Sequence, residues 1–420
     1  MKFNLKDCEL LAPAGSMAEL KAAINFGANA VYVGLTDFSM RAKAKNFTSS
    51  ELEAATLLAH ANNCKVYVAT NIMMHESDLH ALSSVYETLE KLGVDAVLVG
   101  DLGALALAKK YAPHVDIHIS TQAAVCNSES AKMFYELGAK RVVLAREMTL
   151  AEISVFTQNI PADLEVEAFV HGAQCMAESQ RCLISAYLCD RSANRGECTQ
   201  PCRWKYSVIE EKRPNMPFSI EEDNSGTYLF NACDLCMIEH LKALADSGVY
   251  SFKIEGRNKK AFYVASVVNA YRQVMQGGDI EVAKDELMNI SHRPYSTGFY
   301  FGEPRQSLNF DGYAQETLHL ADVLSCEKCS NDESDFAYQI TVRCRNKIEP
   351  FEEIEALSPD VGVVKGIKMC DFEWVSSDGT KIPQETIGRT GEVYVAKCNK
   401  CIADNSLLRK RETRITSREK

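Results

Sequence analysis

No stretch of this sequence is apolar for long enough to span a membrane. The first residues, MKFNLKDCELLAPAG, carry no hydrophobic run of the signal-peptide kind. A cytoplasmic protein with no membrane partner is therefore expected. An excess of positive charge is missing too: 46 Lys and Arg face 57 Asp and Glu, for a formal net charge of −11. That excludes a broad, sequence-independent nucleic-acid surface, although it leaves room for a local basic patch. Two stretches are locally basic, KIEGRNKK from Lys253 to Lys260 and the end LLRKRETRITSREK, of which the last ten residues, 411–420, read as a basic tail. The dinucleotide fingerprint GxGxxG is absent, and so are HExxH and GxSxG, so the chain offers no standard hydrolytic metal or nucleophile motif.

What the chain has in excess is cysteine, sixteen in all. Cys8, Cys64 and Cys126 are scattered in apolar or mixed surroundings and read as structural. Cys175, Cys182, Cys198 and Cys202 stand close together, spaced C-x6-C-x15-C-x3-C. Clustered thiols in a reducing compartment point to a metal or to catalysis more often than to disulfides. Thiolates suit iron–sulfur clusters and zinc, yet the spacing is neither that of paired zinc knuckles nor that of a ferredoxin. Four buried reduced cysteines are the plain alternative. A second set, Cys326-x-x-Cys329 and Cys398-x-x-Cys401, brackets the last part of the chain. If its ends meet, four thiolates could hold a structural zinc; otherwise they are unliganded thiols.

The first ~260 residues alternate short apolar runs with helical periodicity, the pattern of a parallel α/β fold. Eight candidate strands can be counted, from CELLAPAG and AVYVGL to LEVEAFVHG and YSFKIEGR. Capping boxes are expected at Ser16–Glu19, Thr48–Glu51 and Thr149–Glu152, and helix-ending glycines at Gly27, Gly93, Gly138 and Gly248. Eight βα units predict a TIM-like (β/α)8 barrel over residues 1–277, with an open doubly wound sheet as the alternative. Polar residues gather at the expected C-terminal strand ends: Asn71, Ser120, Gln122, Arg146, His171, Glu255 and Arg257 among them. The alternation breaks at about 172–250, an insertion that holds the cysteine cluster and one predicted helix, CDLCMIEHLKALADSG. A linker is expected over 278–317 and a small β-barrel over 318–410.

Several of these segments, ELLAPAG, VYVGL, ExFVHGAxCMA, RCLISAYL, NRGECTQPCRWKY and FKIEGR, resemble the U-thirty-two, or collagenase-like, peptidase family over nearly the whole chain. Despite its name, that family includes proteins that hydroxylate RNA and ubiquinone precursors. The layout and the CRWKY segment are most similar to members that make 5-hydroxyuridine at the wobble position of tRNA and depend on prephenate. The resemblance implies tRNA and prephenate as partners. It also implies a [4Fe–4S] cluster held by Cys175, Cys182, Cys198 and Cys202, with Cys233 and Cys236 as spare ligands and Cys189 as a bystander. A collagenase-type peptidase and a non-catalytic iron–sulfur scaffold for a partner enzyme remain the alternatives.

Four residues are the candidate catalytic groups. Glu167 and His171 lie four apart on the seventh strand, so regular alternation puts both on the barrel interior as acid, base or positioning groups. The alternative is a buried pair that only shapes the core. Glu255 and Arg257 close the eighth strand, where Arg257, with Arg41 and Arg146, suits a carboxylate or phosphate. An internal salt bridge is the competing role.

Overall fold

A computed structural model describes residues 3–35, 38, 46–175, 182–201, 222–223, 226–227, 233–302, 316–329, 335–359 and 361–412. Cys202, Arg41 and residues 413–420 lie outside them. Seven parallel strands follow in order: β1 (Glu9–Pro13), β2 (Ala30–Gly34), β3 (Lys65–Thr70), β4 (Ala96–Val99), β5 (Asp116–Ile119), β6 (Arg141–Val143) and β7 (Glu165–Ala173). After β8 (Asp234–Cys236), the strand β9 (Ser251–Ile254) pairs with both β7 and β1 and closes the barrel. All eight sequence-predicted strands are therefore present, in a closed TIM-like ring with helices outside.

Alternation along each strand sorts the two sides of the wall. Leu10, Ala12, Val31, Val33, Val66, Val68, Val97 and Val99 face the helices and belong to the main core. Leu11, Ala30, Tyr32, Tyr67, Ala96 and Leu98 form a smaller cluster of their own inside the barrel. Thr48 and Thr149 make complete capping boxes with Glu51 and Glu152. At Ser16 the box is incomplete, because Glu19 takes the Ser16 hydroxyl instead of the backbone N–H. Gly27, Gly93, Gly138 and Gly248 all end helices with positive φ.

Two stretches differ from expectation. The segment read as one helix from Cys233 is a strand, a single 3-10 turn and a short helix (Leu241–Asp246). Its first residues pair antiparallel with the long end of β7, an apolar, β-competent edge that local periodicity does not reveal. The expected linker is built into the barrel: Ala283, Leu287, Ile290 and Tyr300 lie in the main core, and β10 (Tyr295–Ser296) pairs with β8.

The C-terminal region is one eight-stranded antiparallel sheet that encloses its own core, with Leu320, Ile340, Ile354, Phe372 and Tyr394 among its buried residues. Its last strand, Leu407–Arg411, opens the stretch read from sequence as a candidate basic patch. Instead Arg409 is fully buried, and its guanidinium donates to Glu286 at 2.6 and 2.8 Å and to Glu355 at 2.8 Å. Glu286 belongs to the barrel's last helix, Ile280–Met288, so this ion pair ties the sheet to the barrel. Lys410 and Arg411 are spent on Glu352 and Asp285. Cys8 and Cys64 are buried as expected of structural thiols, whereas Cys126 is exposed.

Removing one member of a buried ion pair strands the others without a counter-charge. Arg409→Ala is expected to lower unfolding stability by about 3–5 kcal/mol. Urea titration followed by Trp374 fluorescence measures it; a loss under about 1 kcal/mol, the scale of a surface pair, contradicts the assignment.

Candidate active site

The lower half of the barrel interior is filled by charge. Arg141, from the start of β6, donates to Glu9 at 2.6 and 3.2 Å, to Glu165 at 2.6 and 2.8 Å and to Glu167 at 3.0 Å. Lys253 donates to the other Glu167 oxygen at 2.6 Å. Tyr67 and Ser251 donate to Glu9 at 2.6 and 2.8 Å. Burial alone would push the Glu9 carboxyl up, but the Arg141 charge and these hydrogen bonds outweigh it and hold the group below its ordinary range. His118, next to Tyr67, is driven well down by burial and by the charges of Arg141 and Lys253, so its imidazole is neutral.

Glu167, expected to be an acid or base, is thus a saturated member of this network, fully buried and with both oxygens bound to cations. The expectation that His171 shares its face also fails. Between β7 and β9 the register runs Phe169↔Lys253 and then His171↔Ile254, so Val170 is an extra residue, a bulge. One extra residue turns every later side chain to the opposite face. His171 therefore lies outside the barrel wall, against Tyr263 and Tyr271 of the helix Ala261–Met275 and Tyr295 of β10. Its Nδ1 is 3.3 Å from the Tyr271 hydroxyl, and burial pulls its pKa down to about 3. Immediately after it, Gly172 has φ +103°, and a Cβ there would lie 2.4 Å from the Glu255 carbonyl oxygen. Only glycine allows β7 and the end of β9 to approach so closely.

Above the charged layer, at the C-terminal mouth, a different set of groups faces the interior. The Tyr32 hydroxyl donates to the Ile254 carbonyl at 3.0 Å and lies 3.4 Å from a Glu255 oxygen. Arg146 approaches the same carboxylate at 4.0 Å, donates to the Ala173 carbonyl at 2.9 Å and lies 3.8 Å from the Phe169 ring centre. Lys253 approaches the rings of Tyr32 and Phe169 from the layer below. Asn71 donates to Ser120 at 2.8 Å, while its buried carboxamide oxygen has no partner among the described residues. The mouth thus combines a cation, a carboxylate, a phenol and an open acceptor. Arg257, the expected anion binder, is almost wholly buried and engaged within the protein. Arg146 takes the place beside Glu255. Tyr32 and Lys253 were missed by sequence reasoning, although the alternation of AVYVG and SFKI already placed both on the inner face.

The cysteine segment is tied to this mouth. Met73 N–H, in the loop after β3, donates to the Asn194 carbonyl at 2.9 Å, and Arg195 grips Asp78 at 2.7 and 3.0 Å. Cys175 follows the end of β7, and Cys182 and Cys198 flank the helix Ile184–Cys189. The Gln200 N–H points at the Cys198 sulfur at 3.4 Å. Thr199 donates to Cys189 instead. Thiolates are the donors an iron–sulfur group takes, and the fourth member of this set, Cys202, lies outside the described residues. Among the described residues no three His, Cys, Asp or Glu side chains are arranged to hold a metal. That holds for the second cysteine set as well. The Cys398–Cys401 turn does come over Cys326, whose sulfur accepts the Ile402 N–H at 3.5 Å, without forming a metal cage.

The neutral His171 carries a pH signature. Its folded pKa, about 3, lies below the ordinary value near 6.5, so the unfolded chain binds the proton more readily. The stability it contributes is present above about pH 6.5 and is lost as pH falls towards 3. His171→Phe is expected to flatten the fall in urea midpoint between pH 7 and pH 5; an unchanged slope refutes a buried neutral imidazole.

Residues 15–309 match the Peptidase family U32 signature. Among curated proteins, the chain is 44% identical over 313 residues to a Methanocaldococcus jannaschii protein named "Uncharacterized protease MJ0090", covering 72% of this chain and 75% of that one. It is 33% identical over 367 residues to "tRNA hydroxylation protein P1" of Bacillus subtilis, covering 85% of each. It is 35% identical over 354 residues to "tRNA hydroxylation protein P" of Helicobacter pylori, covering 82% and 83%. With its signature spanning the barrel and relatives of this identity over most of its length, the chain belongs to peptidase family U32.

Proposed function

We propose that this protein is an enzyme that hydroxylates tRNA, converting the wobble uridine to 5-hydroxyuridine in a prephenate-dependent reaction. The observation that carries the reading is the similarity to the two tRNA hydroxylation proteins, which covers 85% and 82% of this chain. The barrel mouth agrees with it chemically. Prephenate is a dicarboxylate, and Arg146 is a guanidinium suited to binding one. Glu255 and Tyr32 stand beside it as groups able to hold or pass a proton, and the Asn71 carboxamide oxygen can accept a hydrogen bond from a base or a hydroxyl. An unpaired wobble base is reachable without melting a duplex.

Cys175, Cys182, Cys198 and Cys202 would hold a [4Fe–4S] cluster over this mouth. When bound it supplies one-electron chemistry. This chain's own residues position the substrates: Arg146 orients the anion, Phe169 backs it with an apolar face, and the segment 182–201 limits water at the rim.

The test is mass spectrometry of tRNA nucleosides from a deletion strain. 5-Hydroxyuridine and its derivatives should disappear, and the wild-type gene should restore them. Cys198→Ser should restore little, and its anaerobically purified protein should lose most of its iron. Glu255→Gln should keep its iron yet lower modification by about 100-fold. Unchanged tRNA in the deletion strain, together with hydrolysis of gelatin by the pure protein, would replace this reading with a peptidase.

A further inference from the structure

We infer that His118 and Asn71 receive the uncharged, hydroxyl-bearing end of the small co-substrate whose carboxylate Arg146 binds, a placement that rests on the tRNA reading and deepens it. On β5, Ile117 and Ile119 belong to the main core, so His118 between them faces the barrel interior. There its ring meets the Tyr67 ring edge-on at 4.7 Å. It is 2% exposed, and its buried Nδ1 has no hydrogen-bond partner among the described residues. The groups around it are all engaged: the Tyr67 hydroxyl donates to Glu9, the Lys253 ammonium to Glu167, and Arg141 to three carboxylates. The ionic layer thus closes on itself and leaves this imidazole out.

Asn71 is the second open group on the same arc of the ring. It follows the end of β3 and donates to Ser120, while its buried carboxamide oxygen has no partner among the described residues. Ser120 lies two residues beyond His118 on the same face of β5, roughly 7 Å further towards the mouth at the usual rise of a strand. The two open atoms therefore stand one layer apart. A buried polar atom left unpaired is costly, and two on one arc call for a partner that the chain does not supply.

The asymmetry of the mouth selects the chemistry of that partner. In a closed ring of eight strands β3 stands opposite β7, and Arg146 sits over β7, bound to the Ala173 carbonyl and lying 3.8 Å from the Phe169 ring centre. One side of the mouth therefore carries a guanidinium and the other carries uncharged groups. Burial and the charges of Arg141 and Lys253 keep His118 neutral, so its ring offers one donor and one acceptor without a charge. A carboxylate is drawn to Arg146, gains no ion pair from a neutral imidazole and is repelled by the Asn71 oxygen. A hydroxyl suits the far side, because it can both donate and accept. Tyr32 and Leu98, on the inner face with Phe169, supply apolar surface between the two ends. The fitting molecule is a ring-bearing acid whose hydroxyl lies remote from its carboxylate. Prephenate has this form, with its hydroxyl on the ring carbon opposite the one that bears the carboxylate, so its hydroxyl end would point into the barrel.

Isothermal titration of the full-length, anaerobically purified protein with 4-hydroxyphenylpyruvate and with phenylpyruvate is the test. The two probes differ only in a hydroxyl at the far end of the ring. Wild type should bind the hydroxylated probe about tenfold tighter, the effect of one hydrogen bond to an otherwise unpaired buried group. His118→Phe should cut that preference to within about twofold while binding phenylpyruvate as wild type does. Its urea midpoint should stay level or rise, because an unpaired buried nitrogen has been removed. His118→Gln, which keeps a donor and an acceptor, should recover part of the preference. An unchanged preference in His118→Phe with a lowered midpoint shows a nitrogen satisfied inside the protein, by a buried water, and overturns the assignment. So does equal wild-type affinity for the two probes, whatever the variants do. If wild type binds neither probe, or binds both alike, while its gene still restores 5-hydroxyuridine in cells, the tRNA reading stands without this site. A wild-type protein that binds neither probe and restores no nucleoside ends both.

Discussion

The Arg141 guanidinium is the constraint around which the barrel is organised. It is buried, and it is bound by Glu9 from the first strand, Glu165 and Glu167 from the seventh, and through Glu167 by Lys253 of the closing strand. A parallel barrel must fill its interior, and most do so with branched apolar layers. Here the wall from β1 to β4 supplies the apolar cluster, while β6, β7 and β9, together with Glu9 at the start of β1, supply charges. Each charge costs desolvation, so none can be removed without leaving another unpaired. The network also closes the ring, because its members come from the strands that meet at the seam.

This division leaves the mouth as the part of the barrel with groups facing a substrate. Glu167 and Lys253 bind each other below, so neither carboxylate nor amine is free to exchange protons with a substrate. The bulge at Val170 then turns His171 outward into a tyrosine-lined pocket, where it stays neutral. What remains facing the opening is Arg146, Glu255, Tyr32 and Asn71, under a segment rich in cysteine and tied to the rim by Arg195. A compact polar site beneath an anchored cover is suited to a reaction that must be kept from water.

The fold was largely legible in the sequence, because its signals are local. Eight apolar runs, two complete capping boxes and four helix-ending glycines all stand where their spacing put them. The errors have one cause in common: the deciding partner is far away along the chain. Arg409 looked like part of an accessible basic patch because its partner Glu286 lies 123 residues earlier. Glu167 looked available because Arg141 and Lys253 reach it from other strands. His171 was placed inside by strict alternation, and a bulge has no compositional mark; Gly172 was the one hint of irregular backbone. Tyr32 and Lys253 were readable from alternation alone, and went unnoticed because they are not strand-end residues.

In the proposed function, Arg146 and Glu255 form the reacting mouth while the layer beneath them is structural. Anaerobic single-turnover assay of the purified holoprotein, with tRNA from a deletion strain and prephenate, tests it most directly. Arg146→Met should retain the wild-type unfolding midpoint and iron content while forming almost no 5-hydroxyuridine. Full product formation by Arg146→Met would place the chemistry elsewhere and contradict the account.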